Sequence, residues 1–415
     1  MLILLLSNSH IVFAAYLIFL ASYVVFAIGR FPGTHIDRPA AAVVGAAMMF
    51  AFRVLNAEQG LRSIDYQTIV LLFAMMVVVA GLHLAGFFDS VAGIFVQLVR
   101  PAALLPVVIF TSGILSAFLL NDIVCLLMAP LVMQVSRQMS RRATPYLLAL
   151  ATASNIGSTA TITGNPQNIL IGSVSHIPYL DFAAHLGPVA LIGLMLDWAI
   201  LHLIYFRRPL TVEIPAAVEV IAVKSDGRRS HLLFPIAITF GVLAGFLLGY
   251  PPALVASVGA AILLLHPRYP STKVYGEVNW SLLVFFTGLF LIVGGAEQAG
   301  IAQRLLSIAE HLNLQNGWTF SGVVALLSNL VSNVPAVMLL KGLLPQFGDA
   351  YHFWLLLAAT STLAGNLTIT GSVANIIVVE KARKEHEITF SEYLKAGVPV
   401  TVTTIIVAVV WLRYF

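Results

Sequence analysis

"ASNIGSTATITGNPQN", residues 153–168, interrupts a long apolar run with hydroxyl and amide side chains, two glycines and a proline. Serine, threonine and asparagine side chains compete with the hydrogen bonds of a regular helix, and Pro166 removes a backbone donor. The stretch therefore predicts a broken helix, in which one half-helix exposes carbonyl groups and the next exposes amide hydrogens. Such ends suit a cation and an anion respectively. The alternative is that these polar groups only hold neighbouring helices together.

The sequence around this stretch is strongly apolar. Of the 415 residues, 59% are hydrophobic and 10% are charged, and the mean hydropathy is +0.95. This composition excludes an ordinary water-soluble domain and predicts an all-α polytopic membrane protein. The single cysteine, Cys125, excludes a disulfide framework and a site with several thiolates, so packing is its expected role. The N-terminal apolar run lacks a basic leader and a cleavage site, and we interpret it as a first membrane span.

Apolar segments long enough to cross a membrane recur along the chain. We expect ten crossings, near residues 10–29, 39–54, 66–87, 145–175, 187–206, 232–250, 252–266, 279–299, 352–379 and 396–412. Basic residues in short loops stay on the cytoplasmic side of a cell membrane. Seventeen of the 22 basic residues, Arg38 among them, fall in loops of one parity, four fall in loops of the other, and Lys341 falls inside the membrane. Both termini are therefore expected outside, with a cytoplasmic linker at 207–231 whose basic residues anchor the topology rather than bind nucleic acid.

The chain also resembles itself. "TITGNPQNIL" from Thr161 matches "TITGSVANII" from Thr368, with an offset of 371 − 164 = 207 between the central glycines. "VAGLHLAG" from Val79 matches "VGGAEQAG" from Val293, with an offset of 293 − 79 = 214. Each copy holds five crossings, and an odd number forces the second copy to lie upside down relative to the first. The sequence therefore predicts two inverted-topology repeats, 1–206 and 232–415, an arrangement typical of transporters.

The first repeat is expected to contain a re-entrant hairpin. Residues 101–136 are too long for one span, and they lie between Arg100 and Arg137, both assigned to the cytoplasmic side. A hairpin that turns at Asn121 and Asp122 fits this length better than a single crossing.

The second repeat is expected to contain a matching hairpin at 318–344, which turns at Ser332 and Asn333. The broken helices are predicted at 145–175 and 352–379. Irregular backbone at membrane depth is tolerated only where protein or a water-filled cavity satisfies its polar groups. The two hairpin tips should therefore meet each other and the broken helices near the midplane.

Four stretches carry a resemblance to a known family: "LLNDIVCLLMAPLV", "SNIGSTATITGNPQNILIG", "SNLVSNVPAVMLL" and "GNLTITGSVANIIV". They resemble the ion transporter superfamily, which includes arsenite permeases, sodium/proton antiporters and divalent anion/sodium symporters. The symporter branch carries Ser-Asn-Thr at its tips, whereas this chain has Leu-Asn-Asp at 120–122 and Ser-Asn-Val at 332–334. The Asn-Asp tip and "GNPQN" look more similar to the arsenite permease branch. The resemblance implies a homodimer and leaves open a soluble ATPase partner.

The same resemblance implies that Asn121 and Asn333 line the ion and substrate sites together with the facing loops. The candidate binding residues are Asn121, Asp122, Ser154, Asn155, Gly157, Thr161, Thr163, Gly164, Asn165, Asn168, Ser332, Asn333, Thr362, Asn366, Thr368, Thr370, Gly371 and Asn375. We expect no cofactor and no resident metal, and the coupling ion is expected to be H⁺ or Na⁺.

Four ionisable residues are candidates for coupling: Asp122, His83, Glu297 and Lys341. Asp122 is favoured because an ionisable group deep in a membrane protein is expensive and usually belongs to an ion or proton pathway. It either binds a cation, accepts a proton, or caps the return helix of its hairpin. His83 and Glu297 hold equivalent repeat positions, 297 − 83 = 214, which suggests a relay unless each lies at a membrane face. Lys341 either neutralises Asp122, attracts an anion or extends outward. Asp197 and His202, in one predicted crossing, are further pathway candidates.

The leading functional hypothesis is a secondary transporter that moves a small inorganic oxyacid or anion, most plausibly arsenite or antimonite outward. Neutral arsenite would bind through hydroxyl and amide hydrogen bonds, which the loops supply. The loops lack an arginine, the usual bidentate clamp for a dicarboxylate, and this weakens the alternative of sodium-coupled di- or tricarboxylate transport. Sodium/proton antiport centred on Asp122 is a third hypothesis.

An enzyme or a passive channel is the opposing class. The sequence contains no "GxxxxGK[ST]", no "HExxH" and no nucleophile motif, so ATP coupling and proteolysis lack residues in this chain. A channel would not need two inverted hairpins.

Overall fold

The computed structural model describes residues 2–29, 36–98, 100–206, 229–301, 304–305, 307, 311–383 and 388–414. The helices of the first half are α1 (Leu2–Ile28), α2 (Arg38–Ala51), α3 (Ala57–Ser63), α4 (Tyr66–Leu84), α5 (Phe87–Leu98), α6 (Leu104–Phe118), α7 (Asn121–Gln138), α8 (Thr144–Ser158), α9 (Pro166–Ser175) and α10 (Tyr179–Tyr205). Those of the second half are α11 (Arg229–Leu247), α12 (Pro252–Leu265), α13 (Ser271–Gly276), α14 (Trp280–Gln298), α15 (Gly317–Val331), α16 (Asn333–Leu340), α17 (Ala350–Ala364), α18 (Val373–Ala382) and α19 (Phe390–Tyr414).

Within the described ranges, six stretches are long and apolar enough to cross a membrane: His10–Ile28, Tyr66–Leu84, Pro101–Phe118, Tyr179–Tyr205, Trp280–Gln298 and Phe390–Tyr414. Shorter apolar helices accompany them, including α2, α12 and α15. The molecule is a multi-pass, all-helical membrane protein in the part of the chain that the structure describes. The count of ten crossings stays a prediction, because Pro101–Phe118 is long enough to cross although we assigned it to a re-entrant hairpin.

The two halves place corresponding helices in the same order. Arg38 begins α2 and Pro252 begins α12, and the difference 252 − 38 = 214 equals the offset found in the sequence. Packing between the halves is reciprocal: α2 packs against α14 as α12 packs against α4, and α7 packs against α18 as α16 packs against α9. Such reciprocal packing is what a two-fold relation between the halves would produce. The inverted orientation and the repeat boundaries stay predictions.

Both predicted broken helices are interrupted within the polar stretches. Helix α8 ends at Ser158 and α9 begins at Pro166, with turns between them. In the second half, α17 ends at Ala364 and α18 begins at Val373, with a short 3₁₀ turn between them. Proline at the first position of α9 fits there because its missing N–H would have no partner inside the helix.

A break between two helices lies at each expected hairpin tip, and the re-entrant course of the chain stays a prediction. Leu119 and Leu120 separate α6 from α7, and Ser332 alone separates α15 from α16. Ser332 has φ +76° and ψ 157°, a backbone conformation that residues other than glycine rarely adopt.

Three helices among the described residues were not predicted from the sequence. Helices α3 and α13 are short connectors at equivalent repeat positions, 271 − 57 = 214, and α5 runs from Phe87 to Leu98 before the first hairpin. Helix α10 begins at Tyr179, earlier than the expected crossing near 187, and continues through Pro188. The predicted linker at 207–231 lies outside the described residues up to 228. The loop residues Arg30, Arg207, Arg208, Lys224, Arg228 and Lys384 also lie outside them.

Candidate functional site

Asn155 is the hub of a buried hydrogen-bond network that joins the two broken helices. Its Nδ2 donates to Oδ1 of Asn366 at 2.8 Å and to Oδ1 of Asn375 at 2.9 Å. Its Oδ1 accepts from Nδ2 of Asn121 at 3.0 Å and from the hydroxyl of Ser372 at 2.9 Å. All four hydrogen-bonding positions of this side-chain amide are therefore occupied by protein.

Asn168 and Asn375 brace the two polar loops in the same way. Nδ2 of Asn168 donates to the carbonyls ten and seven residues earlier, at 3.1 and 3.0 Å. Nδ2 of Asn375 donates to the carbonyls ten and seven residues earlier, at 2.7 and 3.0 Å. These identical bonds, 375 − 168 = 207 residues apart, satisfy loop carbonyls that have no helical partner. The side-chain nitrogens of both asparagines thus donate to carbonyls of their own loops.

The other polar residues of the first loop also bond to protein. The hydroxyl of Ser154 lies 2.7 Å from that of Ser116 and donates to the carbonyl of Asn121 at 3.2 Å. Thr161 donates to the carbonyl of Ala117, and the Thr163 hydroxyl lies 3.0 Å from the Tyr179 hydroxyl.

Asn165 links the two halves. Its Oδ1 caps α9 by accepting from the backbone N–H of Asn168 at 2.8 Å, and its Nδ2 donates to the Thr362 hydroxyl at 3.2 Å. Gln167 donates to the same hydroxyl from Nε2 at 3.1 Å. Thr362 therefore receives side chains from the first repeat and is enclosed by them.

The second loop is less enclosed than the first. Asn366 is fully buried and donates to the carbonyl of Thr152 at 3.2 Å. Thr368 donates to Oδ1 of Asn329 at 3.1 Å, and its hydroxyl lies 3.3 Å from that of Thr370, which is exposed. The two loops thus share their bonding pattern and differ in their exposure.

Three candidate glycines permit close backbone approach. A Cβ on Gly157 would overlap the backbone of Gly113, one on Gly164 would overlap the carbonyl of Ser158, and one on Gly371 would lie 2.7 Å from Oδ1 of Asn329. Small residues of this kind let membrane helices pack tightly. The geometry accounts for these glycines by packing alone.

The two hairpin tips contact the broken helices. The backbone N–H of Asn121 donates to the carbonyl of Gly164 at 3.0 Å. With its amide nitrogen turned toward the nearby carbonyls, Asn333 donates to Ser361 at 3.0 Å and to Gly371 at 3.2 Å. Each tip asparagine therefore ties its hairpin to a loop.

A cavity of about 180 Å³ lies where both tips meet the starts of the second half-helices. The polar and charged residues that line it are Arg38, Asn121, Asp122, Gln167, Asn279, Ser281, Ser332, Asn333 and Ser372. Six helices begin at this cavity, namely α2, α7, α9, α14, α16 and α18. Each helix N-terminus carries a partial positive charge and amide hydrogens that lack helical partners, so the cavity favours oxygen atoms bearing negative charge.

Two acceptors that belong to residues lining the cavity have no hydrogen-bond partner in the described part of the chain. Among the described residues, no side chain or backbone group donates to the carboxylate of Asp122, which lies in the first turn of α7. Oδ1 of Asn121 is buried and has no hydrogen-bond partner. A buried acceptor without a donor costs about 1–3 kcal/mol, so a bound hydroxyl group or a cation would stabilise this arrangement.

Arg38 is one of five polar residues of this cavity that were not predicted as candidates; the others are Gln167, Asn279, Ser281 and Ser372. Arg38 was assigned to a cytoplasmic loop, yet it is the first residue of α2 and lines the cavity together with Asp122. Its Nε donates to the carbonyl of Phe26 at 2.9 Å, which fixes the guanidinium. Arg38 and Asp122, both described residues, form no ion pair with each other. The sequence offered one signal for Arg38, a break in the repeat pattern. The equivalent position in the second repeat, 252, carries proline instead of a basic residue.

Asn279 and Ser281 stand at the start of a predicted crossing, and their only pattern in the sequence is an N-x-S glycosylation match, which carries no meaning inside a span. Asn279 caps α14 by accepting from the N–H of Leu282 at 3.2 Å, and both polar residues line the cavity. Among the candidate residues, only Asn121, Asp122, Ser332 and Asn333 line this cavity.

The other coupling candidates lie in separate ion pairs. Nδ1 of His83 lies 3.0 Å from Oε2 of Glu277, and Nζ of Lys341 lies 3.9 Å from Oε1 of Glu297. His83 and Glu297 thus have different partners instead of forming a relay with each other. The ionic partner of Lys341 is Glu297 and not Asp122.

Asp197 is a second buried acid, deeper in the protein. Its Oδ2 accepts from the hydroxyl of Thr152 at 3.0 Å, while its Oδ1 has no partner. The sequence offered only the rarity of an acid in a span as a signal. Cys125 is fully buried, and its thiol faces the carbonyl of Leu150, as expected of a packing residue.

A family model described as "Citrate transporter" matches residues 23–359, which is most of the chain. Relatives match over nearly the full length. The chain is 30% identical to an uncharacterized transporter of Mycobacterium tuberculosis (strain ATCC 25618 / H37Rv), over 96% of this chain and 97% of that protein. It is 29% identical to the silicon efflux transporter LSI3 of Oryza sativa subsp. japonica, over 89% of this chain and 91% of that protein.

A Dictyostelium discoideum protein named as an arsB transporter is 27% identical over 96% of this chain and 91% of that protein. The crystal structure of the Alcanivorax borkumensis YdaH transporter superposes with a TM-score of 0.58, 14% identity and 98% coverage of both chains. This likeness supports the fold, and the matched family supports a transporter rather than an enzyme. The chain therefore belongs to the citrate transporter family of the ion transporter superfamily.

Proposed function

We propose that the chain is a secondary transporter of a small inorganic oxyacid, with arsenite or antimonite efflux across the cell membrane coupled to protons through Asp122. The observation that carries this proposal is the cavity itself, which presents hydrogen-bond donors and the carboxylate of Asp122 to one small volume. Arg38 and the helix N-termini donate, while Asp122 accepts. An uncharged acid with several hydroxyl groups offers both donors and acceptors in return.

The side-chain charge of the cavity favours an uncharged oxyacid over a highly charged carboxylate. Ionised Asp122 offsets the charge of Arg38, so the cavity carries no net side-chain charge with which to bind a tricarboxylate. A carboxylate facing a bound carboxylate destabilises the complex by like-charge repulsion. The silicon efflux relative agrees with the proposal, because dissolved silicon and arsenite are both uncharged hydroxylated acids at neutral pH.

Proton coupling rests on the position of Asp122. The acid is unpaired, lines the solute cavity and lies on a hairpin tip, so its protonation would change both the charge of the cavity and the binding of the solute. The transport step would be a shift of the hairpins and broken helices against the helices that flank them, which opens the site to each face in turn.

Sodium-coupled di- or tricarboxylate transport is the second candidate. Arg38 supplies the cavity arginine that the polar loops lack, and guanidinium groups bind carboxylates in a bidentate fork. The family model also carries the citrate transporter description.

Uptake into everted membrane vesicles separates these candidates. Arsenite, antimonite, citrate, succinate and sodium are each tested with an imposed pH gradient and again with an imposed sodium gradient. The proposal predicts metalloid uptake driven by the pH gradient. Sodium-driven citrate or succinate uptake without metalloid flux would overturn it, and sodium flux alone would indicate sodium/proton exchange.

A further inference from the structure

A second cavity, of about 290 Å³, lies at the starts of α4 and α12. Its wall includes Gln67 and Leu71 from α4 and Pro252 and Ala253 from the start of α12. The first cavity is walled by the repeat equivalents of these four residues. The pairs are Arg38 and Pro252, Pro39 and Ala253, Ser281 and Gln67, and Phe285 and Leu71, each separated by 214 residues (252 − 38, 253 − 39, 281 − 67 and 285 − 71).

The two cavities are therefore bounded by equivalent walls, each formed by a pair of helices that corresponds to the other pair in the repeat. Helices α2 and α14 begin at the first cavity and pack against each other through Gly288, where a Cβ would lie 2.6 Å from the carbonyl of Ala42. Helices α4 and α12 form the matching pair at the second cavity. Both pairs are closely packed.

The equivalent walls differ in charge at one position. The first wall presents the guanidinium of Arg38, half-buried and held by the carbonyl of Phe26, whereas the second presents the ring of Pro252. The remaining titratable groups at the second cavity, His176, Tyr179 and Tyr250, do not belong to the four equivalent wall positions. A solute that faces the first wall meets a fixed cation which is absent when the solute faces the second.

We propose that Arg38 is a one-sided binding residue, which donates to an oxygen of the transported oxyacid only while the site faces the first cavity. Its partner position, Pro252, leaves the second cavity without this contact, so that the solute binds more tightly at one face and is released at the other. The inference rests on the proposed function, because it assumes that one solute site alternates between the two walls. In the orientation predicted from the basic loops, the Arg38 wall lies on the cytoplasmic side, which is the loading side of an exporter.

The test compares half-saturation concentrations at the two membrane faces, in everted and in right-side-out vesicles. Arg38→Gln is expected to raise the half-saturation concentration for arsenite about tenfold at the cytoplasmic face, the loss expected for one charge-assisted hydrogen bond. The value at the external face should stay within about twofold. A similar rise at both faces, or no rise at either, would overturn the proposal.

Two further variants separate this role from a folding defect. Adding Pro252→Arg to Arg38→Gln transfers the cation to the second wall and is expected to lower the half-saturation concentration at the external face instead. Arg53→Gln, at the exposed far end of α2, is the matched control and should change neither value. Protein abundance and monodispersity of each variant are measured alongside.

Wild-type flux distinguishes failure of this inference from failure of the proposed function. If the wild-type chain carries arsenite, sidedness is measured with arsenite. If it carries citrate and no arsenite, the oxyacid proposal fails, and the same comparison with citrate decides whether Arg38 acts at one face or at both.

Discussion

Nδ2 of Asn155 donates to Oδ1 of Asn366 over 2.8 Å, which joins the broken helix of one half directly to that of the other. Both side chains are fully buried. Replacing Asn155 by alanine would leave four polar groups without a partner, namely Nδ2 of Asn121, the hydroxyl of Ser372, and Oδ1 of Asn366 and Asn375. Since each buried unpaired group costs about 1–3 kcal/mol, we expect Asn155→Ala to lower the free energy of unfolding by at least about 3 kcal/mol.

The measurement is the thermal unfolding midpoint of the purified protein in detergent. Gln346→Ala removes an exposed amide of similar chemistry and should leave the midpoint nearly unchanged. An Asn155→Ala midpoint equal to that of the control would contradict the role of Asn155 as a structural hub.

Gly157→Ala is expected to destabilise the contact between α6 and α8. The new Cβ would overlap the backbone of Gly113, which cannot move away as a side chain can. Overpacking of this kind costs about 1–3 kcal/mol, and more where backbone must shift. The matched control is Gly322→Ala in α15, where an added Cβ meets no atom within 4 Å. Since alanine favours a helix over glycine by about 0.5–1 kcal/mol, the control should match or exceed the wild type in stability. Equal stability of both variants would refute close packing at Gly157.

Asp122→Asn is expected to abolish coupled transport while the protein remains folded in the membrane. The amide keeps the shape of the side chain but cannot take up or release a proton near neutral pH, so flux should lose its dependence on the pH gradient. The expected loss of gradient-driven uptake is at least about tenfold, equivalent to about 1.4 kcal/mol. Asp181→Asn, an exposed acid at the start of α10, is the control that should retain pH-driven uptake. An unchanged pH dependence in Asp122→Asn would rule out a coupling role for this acid.

Glu297→Gln and Lys341→Gln test whether their ion pair couples transport or only connects helices. The pair is 3.9 Å long and partly exposed, so each substitution should change the free energy of unfolding by less than about 1 kcal/mol. We expect pH-driven uptake to persist in both variants, since neither residue lines the solute cavity. Loss of pH dependence in Glu297→Gln, with normal abundance, would move the coupling role from Asp122 to Glu297.

The sequence predicted those parts of the structure that depend on local chemistry. Pro166, the asparagines and the glycines disfavour a continuous helix. The Thr-Ile-Thr-Gly stretch and Asn168 also recur at a fixed offset, so the breaks at 159–165 and 365–372 could be located without coordinates. Asn121 and Asn333 were assigned to the tips for the same reason.

The partners of these residues could not be predicted, because they depend on how distant helices pack. Arg38 was read as a loop charge, since nothing local reveals that α2 packs against α14 and so places it beside Asp122. His83 pairs with Glu277 across a similar long-range contact. Most of the candidate polar residues bond to one another, so composition indicated the region of the site but not which side chains remain free to bind a solute.

Entrance counterflow of the purified protein tests the central claim, a carrier with one alternating oxyacid site, most directly. Proteoliposomes loaded with unlabelled arsenite are diluted into a trace of labelled arsenite, with no ion gradient imposed. A carrier exchanges solute across a saturable site, so we predict transient accumulation of the label above its equilibrium level, and saturation as external arsenite rises. Flux that rises linearly with concentration and shows no transient accumulation would contradict the account.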